Sequence, residues 1–261
     1  MPGLSFVPAI PGYHNNPAST ILLKKPLREI SGISYHGYNK LAGINDEDGI
    51  LFYIDTQTGQ YTKTTFGEKG DYEDIVRTPA GYFVLESNGT LHQLDGISGK
   101  ELAIFHHDFP KFTEFESLCY NARSNQLILI CKTCGPNEPF IHAWSFDLTS
   151  NSFRNDPVFS IAFTDIRRLG KDDTIECQPS AAAFHPITNQ LYIIASLGKV
   201  LIQCKPDGTP EAVYGINADL FQQPEGLCFA PNGDLFICNE GRQSKASLLY
   251  FPYQASDARR D

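Results

Sequence analysis

The sequence predicts an all-β chain folded as a five-bladed β-propeller with four strands per blade, and three observations carry that expectation. A short motif of acidic, small and apolar residues recurs five times, each copy leads into further strand-length apolar runs parted by turns, and one strand-like run precedes the first copy. The clearest copy, residues 223–241, reads as a β-hairpin around the turn Pro231-Asn232-Gly233. The other copies open at Glu29-Ile30-Ser31-Gly32, Asp71-Tyr72-Glu73-Asp74, Glu114-Phe115-Glu116-Ser117 and Gln178-Pro179-Ser180-Ala181.

Residues 1–18 hold Pro2, Pro8, Pro11 and Pro17 with Gly3 and Gly12, a composition that disfavours helix and sheet ladder alike, so they form an arm. The globular domain is expected to be a single unit over residues 19–261, beginning with the orphan strand at 19–24. The first repeat supplies strands at 32–35, 40–44, 49–55 and 61–66, with turns at Asp46-Glu47-Asp48-Gly49 and Thr56-Gln57-Thr58-Gly59. The second, about 42 residues on, supplies 73–77, 82–85, 90–94 and 101–105. The third supplies 115–120, 127–131, 140–146 and a less regular run around 153–161. An insertion at 163–177 follows and is read as a loop grown on one face. The fourth supplies 181–185, 191–195, 200–204 and 211–214; the fifth has only three strands, at 226–229, 235–238 and 247–251. The orphan strand completes the fifth blade, closing the ring and covering an exposed edge.

Composition narrows the function classes. The chain has 261 residues, 41% of them hydrophobic, enough for one full core. Its 21 Lys+Arg against 30 Asp+Glu give a net charge of −9, which disfavours nucleic acid and anionic lipid, and no apolar run is long enough to span a membrane. Seven cysteines, mostly within strand patterns, read as reduced packing residues and point to the cytoplasm; a periplasmic or extracellular location is the alternative if a leader has been removed. Cys131 and Cys134 have CxxC spacing without a second ligand pair, a weak zinc signal. No GxSxG, HExxH, GxGxxG or P-loop is present, and the seven histidines are scattered.

Aligning the repeats on their first strands places Ser31, Glu73, Glu116, Ser180 and Glu225 at one level around the channel, with Glu29, Asp71, Glu114, Gln178 and Gln223 two residues earlier. A second alignment, at the ends of the second strands, gathers Asp46, Glu86, Lys132, Ser196 and Glu240. Two carboxylates about 4 Å apart repel by roughly 4 kcal/mol at an effective dielectric near 20, so such a ring recruits a cation, a proton or water. Ligation of an ion by Glu73, Glu116 and Glu225 suits Ca²⁺, and less well Mg²⁺. The alternative is a wide, wet channel with solvated glutamates. Lys132 either neutralises a neighbouring carboxylate or receives an anionic ligand.

Glu29-Ile30-Ser31-Gly32-Ile33-Ser34-Tyr35 with Asn45-Asp46-Glu47, Gly70-Asp71-Tyr72-Glu73-Asp74-Ile75, Phe115-Glu116-Ser117-Leu118-Cys119-Tyr120 with Cys131-Lys132, Gln178-Pro179-Ser180, and Gln223-Pro224-Glu225-Gly226 with Asn239-Glu240-Gly241 together resemble the SdiA-regulated (YjiK-like) family. The resemblance runs over residues 19–251, and each motif alone is also similar to NHL-type propellers. It implies a five-bladed propeller with a calcium-binding site and no established activity. The chain departs from it in Ser117, where the family often has glycine, and in lacking the export or anchor segment of many members.

Two uses of such a ring are open. One is a calcium-containing binding module whose loop face recognises a small polar molecule or a protein. The other is a metal-dependent hydrolase, lactonase-like or phytase-like, in which Glu73, Glu116 and Glu225 hold the ion, Asp46, Glu86 or Glu240 is the base, and Lys132 meets the substrate's charge. A third possibility gives the ion a purely structural role between blades.

Overall fold

A computed structural model describes residues 10–241 and 244–254, and within it the repeats form five antiparallel sheets around a central channel. The orphan run forms β1 (Ser19–Leu22). The first blade is β2 (Ile30–Gly37), β3 (Lys40–Asn45), β4 (Ile50–Asp55) and β5 (Tyr61–Thr65), paired in that order. The second is β6 (Tyr72–Thr78), β7 (Gly81–Glu86), β8 (Leu91–Leu94) and β9 (Glu101–Phe105). In the third, β10 (Thr113–Asn121), β11 (Gln126–Cys134) and β12 (Phe140–Asp147) are regular. The outermost strand is split into β13 (Ser152–Phe153) and β14 (Phe159–Ala162), which pair with opposite ends of β12.

The insertion read as a loop begins with a helix, α1 (Phe163–Gly170). It buries Ile166 and ends at Lys171, whose left-handed backbone (φ 56°) caps it. The fourth blade is β15 (Gln178–Phe184), β16 (Leu191–Leu197), β17 (Val200–Cys204) and β18 (Pro210–Gly215). The fifth is β19 (Pro224–Phe229), β20 (Leu235–Asn239) and β21 (Ser247–Phe251), with β1 on its outer edge in the register Ser19 to Tyr250 through Leu22 to Ser247. The ring therefore closes as the orphan strand implies. No helix among the described residues is long and apolar enough to cross a membrane.

The core lies between sheets rather than within one globular centre, since each blade buries both faces against its neighbours. Phe115, Trp144 and Phe109 meet edge-on between the second and third blades, and Ile30, Ile33, Cys228 and Phe236 pack between the first and fifth. Polar pins repeat at the blade interfaces with the period of the sequence. Arg77 N donates to Ser34 Oγ (2.9 Å) across 43 residues, Leu118 N to Asp74 Oδ2 (2.8 Å) across 44, and Ser180 Oγ to the Pro224 carbonyl (2.6 Å) across 44.

Residues 1–9 of the arm lie outside the described residues, but the arm from residue 10 onward is docked. Tyr13 is buried against the fourth and fifth blades, donates to the Gly233 carbonyl (2.5 Å) and meets His185 Nε2 at 3.0 Å. Burial holds the His185 imidazole neutral, with its pKa lowered to about 4.

Candidate functional site

All five inner strands break register at the same place. The ladder skips from Ile30 to Gly32, from Tyr72 to Asp74, from Phe115 to Ser117, from Pro179 to Ala181 and from Pro224 to Gly226. The skipped residues are Ser31, Glu73, Glu116, Ser180 and Glu225, the members of the first aligned ring. A β-bulge leaves its extra residue unpaired and re-aims the side chain, so five equivalent bulges present these positions around one mouth of the channel. Lys132 and Ser196 are skipped in the facing strands β11 and β16 by the same kind of shift.

The glutamates sense one another there. Burial first, then Glu116, Asp71 and Glu225, raises the Glu73 carboxyl to about 8, while Lys132 pulls the other way. Burial, then Glu116 and Glu240, raises Glu225 to about 8, opposed by Lys132 and by a hydrogen bond from Ser196. Burial also raises Glu116, and its ion pair with Lys132 opposes that rise. Burial lowers the Lys132 pKa, but the hydrogen-bonded Glu116, with Glu73 and Glu225 behind it, outweighs burial and raises it. The neutralising role considered for Lys132 is thus realised on Glu116.

The second ring divides. Asp46 follows β3 and is raised to about 6 by burial, then by Glu29, Glu240 and Glu47; Glu29 itself is paired with Arg28 at 2.5 Å. Glu240 follows β20, where its backbone N–H donates to the Gln223 carbonyl (2.8 Å) and its carboxylate faces Glu225 and Asp46. Glu86 points elsewhere: its carboxylate accepts from Asn88 (3.2 Å) and lies 3.3 Å from His92 Nε2, on the outer side of its blade.

The mouth encloses about 420 Å³ walled by Glu116, Lys132, Gln178, Gln223, Glu225 and Glu240. A smaller space of about 250 Å³ adjoins it through Lys132, Gln178 and Leu197, bounded outside by Phe163 and Arg167 of α1. The insertion therefore walls the space beside the acidic mouth. Two buried acceptors, Gln223 Oε1 in the wall of the mouth and Asp46 Oδ1 within electrostatic reach of Glu240, have no hydrogen-bond partner. Oxygen donors of this kind fit a hard cation such as Ca²⁺. Among the described residues, no three His, Cys, Asp or Glu side chains are drawn together tightly enough to hold an ion as they stand.

Cys131 and Cys134 are joined as a disulfide (Cα–Cα 5.7 Å), which corrects the expectation that all cysteines are reduced and leaves the pair unavailable to zinc. The register break at Lys132 supplies the reason, because one extra residue brings positions three apart onto the same side of β11. The other five cysteines are free and buried.

Asp74 is a residue the sequence reading passed over. It is fully buried beside the ring, its Oδ1 accepts from Ile75 N and its Oδ2 from Leu118 N, both at 2.8 Å, and burial pushes its carboxyl well above the usual range. The signal lay in the next column of the alignment, Gly32, Asp74, Ser117, Ala181 and Gly226, where one carboxylate stands among small residues. A Cβ at Gly32 would fall 2.6 Å from Asp74 Oδ1, so the glycine makes room for it.

Neither family models nor curated proteins match this chain in sequence. Solved structures match it in fold. Glutaminyl cyclase from Myxococcus xanthus superposes with a TM-score of 0.63 at 11% identity, covering 94% of this chain and 97% of that one. Regucalcin from Agrobacterium tumefaciens, described as a calcium-binding protein, gives 0.55 at 11% identity over 93% and 95%. A luciferin-regenerating enzyme gives 0.50 at 11% identity over 89% and 95%. These likenesses establish the propeller architecture.

Proposed function

We propose that the protein is a calcium-binding module of the SdiA-regulated (YjiK-like) kind, holding the ion at the acidic mouth through Glu73, Glu116 and Glu225 and recognising a small polar molecule or a protein there. The observation that carries the reading is the bulge repeated at the ring position of every blade, which turns three partly buried carboxyls toward one end of the channel, where Lys132 is the ammonium group in the cavity wall. Without an ion, Glu73 and Glu225 keep protons instead, in line with their pKa of about 8. Binding requires the three side chains to rotate inward and Lys132 to release Glu116. Gln223 Oε1, in the wall of the mouth, is a further unpartnered oxygen donor there. Calcium binding by a regucalcin of the same fold is compatible with this reading, which rests on the glutamates themselves.

Thermal unfolding of chelator-treated protein tests it. Calcium at a hundredfold excess over its dissociation constant should raise the midpoint by roughly 5–10 °C, from about 2.7 kcal/mol of linkage. Glu225→Gln should remove most of that rise and leave a folded protein. No shift with millimolar calcium would sink the proposal.

One observation favours the hydrolase reading as a second use of the same mouth. Asp46, at about 6 and facing Glu240, is poised near the working range of a general base. Calcium-dependent turnover of lactones or phosphoesters, lost in Asp46→Asn, would establish that reading.

A further inference from the structure

The opposite end of the channel, where the inner strands finish, opens into a second cavity of about 700 Å³ to which all five blades contribute. Its chemistry is the reverse of the acidic mouth. Tyr35, Tyr120, Phe184 and Phe229 stand in its walls with aliphatic carbons between them, and no Asp or Glu lines it, although the chain carries a net charge of −9. Its cation is Arg77. The guanidinium lies against the β2–β3 hairpin, where it donates to the His36 carbonyl, and among the described residues no carboxylate is within ion-pair distance of it. Tyr38, at the tip of that hairpin in a left-handed conformation (φ 50°), is 97% exposed and stands over the rim. A concave space of this size with apolar walls and one oriented charge has the dimensions and polarity of a small-molecule pocket. Arginine presents a planar fork that suits a carboxylate, sulfonate or phosphate group and also stacks on rings.

We propose that this second mouth binds an aromatic or otherwise bulky apolar anion, its apolar body between the tyrosine and phenylalanine walls and its charged head on Arg77. The site is independent of any ion at the acidic mouth.

Fluorescence titration of the full-length protein with 8-anilinonaphthalene-1-sulfonate, beside its uncharged counterpart N-phenyl-1-naphthylamine, tests this directly. The wild-type protein should bind the sulfonate saturably at one site. Arg77→Gln should weaken the sulfonate about tenfold, roughly the loss of one charged hydrogen bond, and change the uncharged probe less than about twofold. Arg77→Lys should fall between, keeping the charge and losing the fork. Lys132→Gln, at the far mouth, should alter neither. Because Arg77 is exposed, its variants should keep the wild-type melting midpoint, and that measurement guards against misfolding. No saturable sulfonate binding, an equal loss of both probes in Arg77→Gln, or a loss that follows Lys132→Gln instead would each overturn the proposal.

Discussion

In the unfolded chain Glu73 and Glu225 titrate near their ordinary 4.5, whereas in the folded ring both stand at about 8. A carboxyl whose folded pKa is raised binds its proton more tightly in the native state. Its contribution is therefore complete below the unfolded value and is lost as pH climbs through the folded one. In chelator, stability measured by urea unfolding should fall between about pH 5 and about pH 8, by at most about 1.4 kcal/mol per group per pH unit. Glu225→Gln should flatten part of that slope, and a level profile would contradict the buried, coupled ring. If the mouth takes calcium as proposed, the Lys132 ammonium paired with Glu116 would compete with the ion, so Lys132→Gln should tighten calcium about tenfold in calorimetric titration; weakened binding would instead assign the ammonium a supporting role. Asp74 tests the interior. Asparagine there keeps one carbonyl acceptor for two backbone donors and should cost about 1–3 kcal/mol, while alanine, which orphans both, should cost more in the same unfolding assay.

At the scale of elements, the arm and β1 act together as a clasp on the fifth blade. Deleting residues 1–24 removes the ladder partner of β21 and the Tyr13 contacts with Gly233 and His185. The shortened protein should self-associate through the bared edge, visible by sedimentation velocity, and melt at least several degrees lower. A monomer with an unchanged midpoint would show that the clasp is dispensable. The strands themselves were legible because strand-length apolar runs and turns such as Thr56-Gln57-Thr58-Gly59 recur in order. The split of β13 from β14 was not, since it depends on which end of β12 each fragment can reach. Nor was α1: Phe163, Ile166 and Leu169 fall at helical spacing, but the eight-residue helix gives only about two turns of that pattern and runs into the charged stretch Lys171-Asp172-Asp173, which reads as loop. The ring positions could be read by aligning repeats, but the bulges that aim them could not, because a bulge has no side-chain signature of its own in Ser31, Glu73 or Glu116. The outward turn of Glu86 is a one-residue slip in the second alignment: Glu86 pairs with Tyr72 as Asn45 pairs with Ile30 and Asn239 with Pro224, so Ser87, whose N–H donates to the Asp71 carbonyl as Asp46 does to Glu29 and Glu240 to Gln223, holds the second-ring place in that blade. The Cys131–Cys134 pairing needed the same missing information about Lys132.

For the whole molecule, blades that share every core cluster with a neighbour have no independent interior, so urea unfolding of the ring should be one cooperative transition seen alike by tryptophan emission (Trp144) and far-ultraviolet circular dichroism. Separated transitions would mean that blades 2–4, which enclose Trp144, hold together without the clasp. The closure also has a temporal side. During synthesis β1 emerges before the other described strands, yet its ladder partner among them is β21, the last of them to be made. At about 5–20 residues per second the strand waits roughly 10 to 45 s for that partner. Through that interval the nascent chain carries an unpaired edge segment at one end and a half-built ring at the other, so the moment of greatest exposure to chaperones and to neighbouring chains is set by the translation of the final blade.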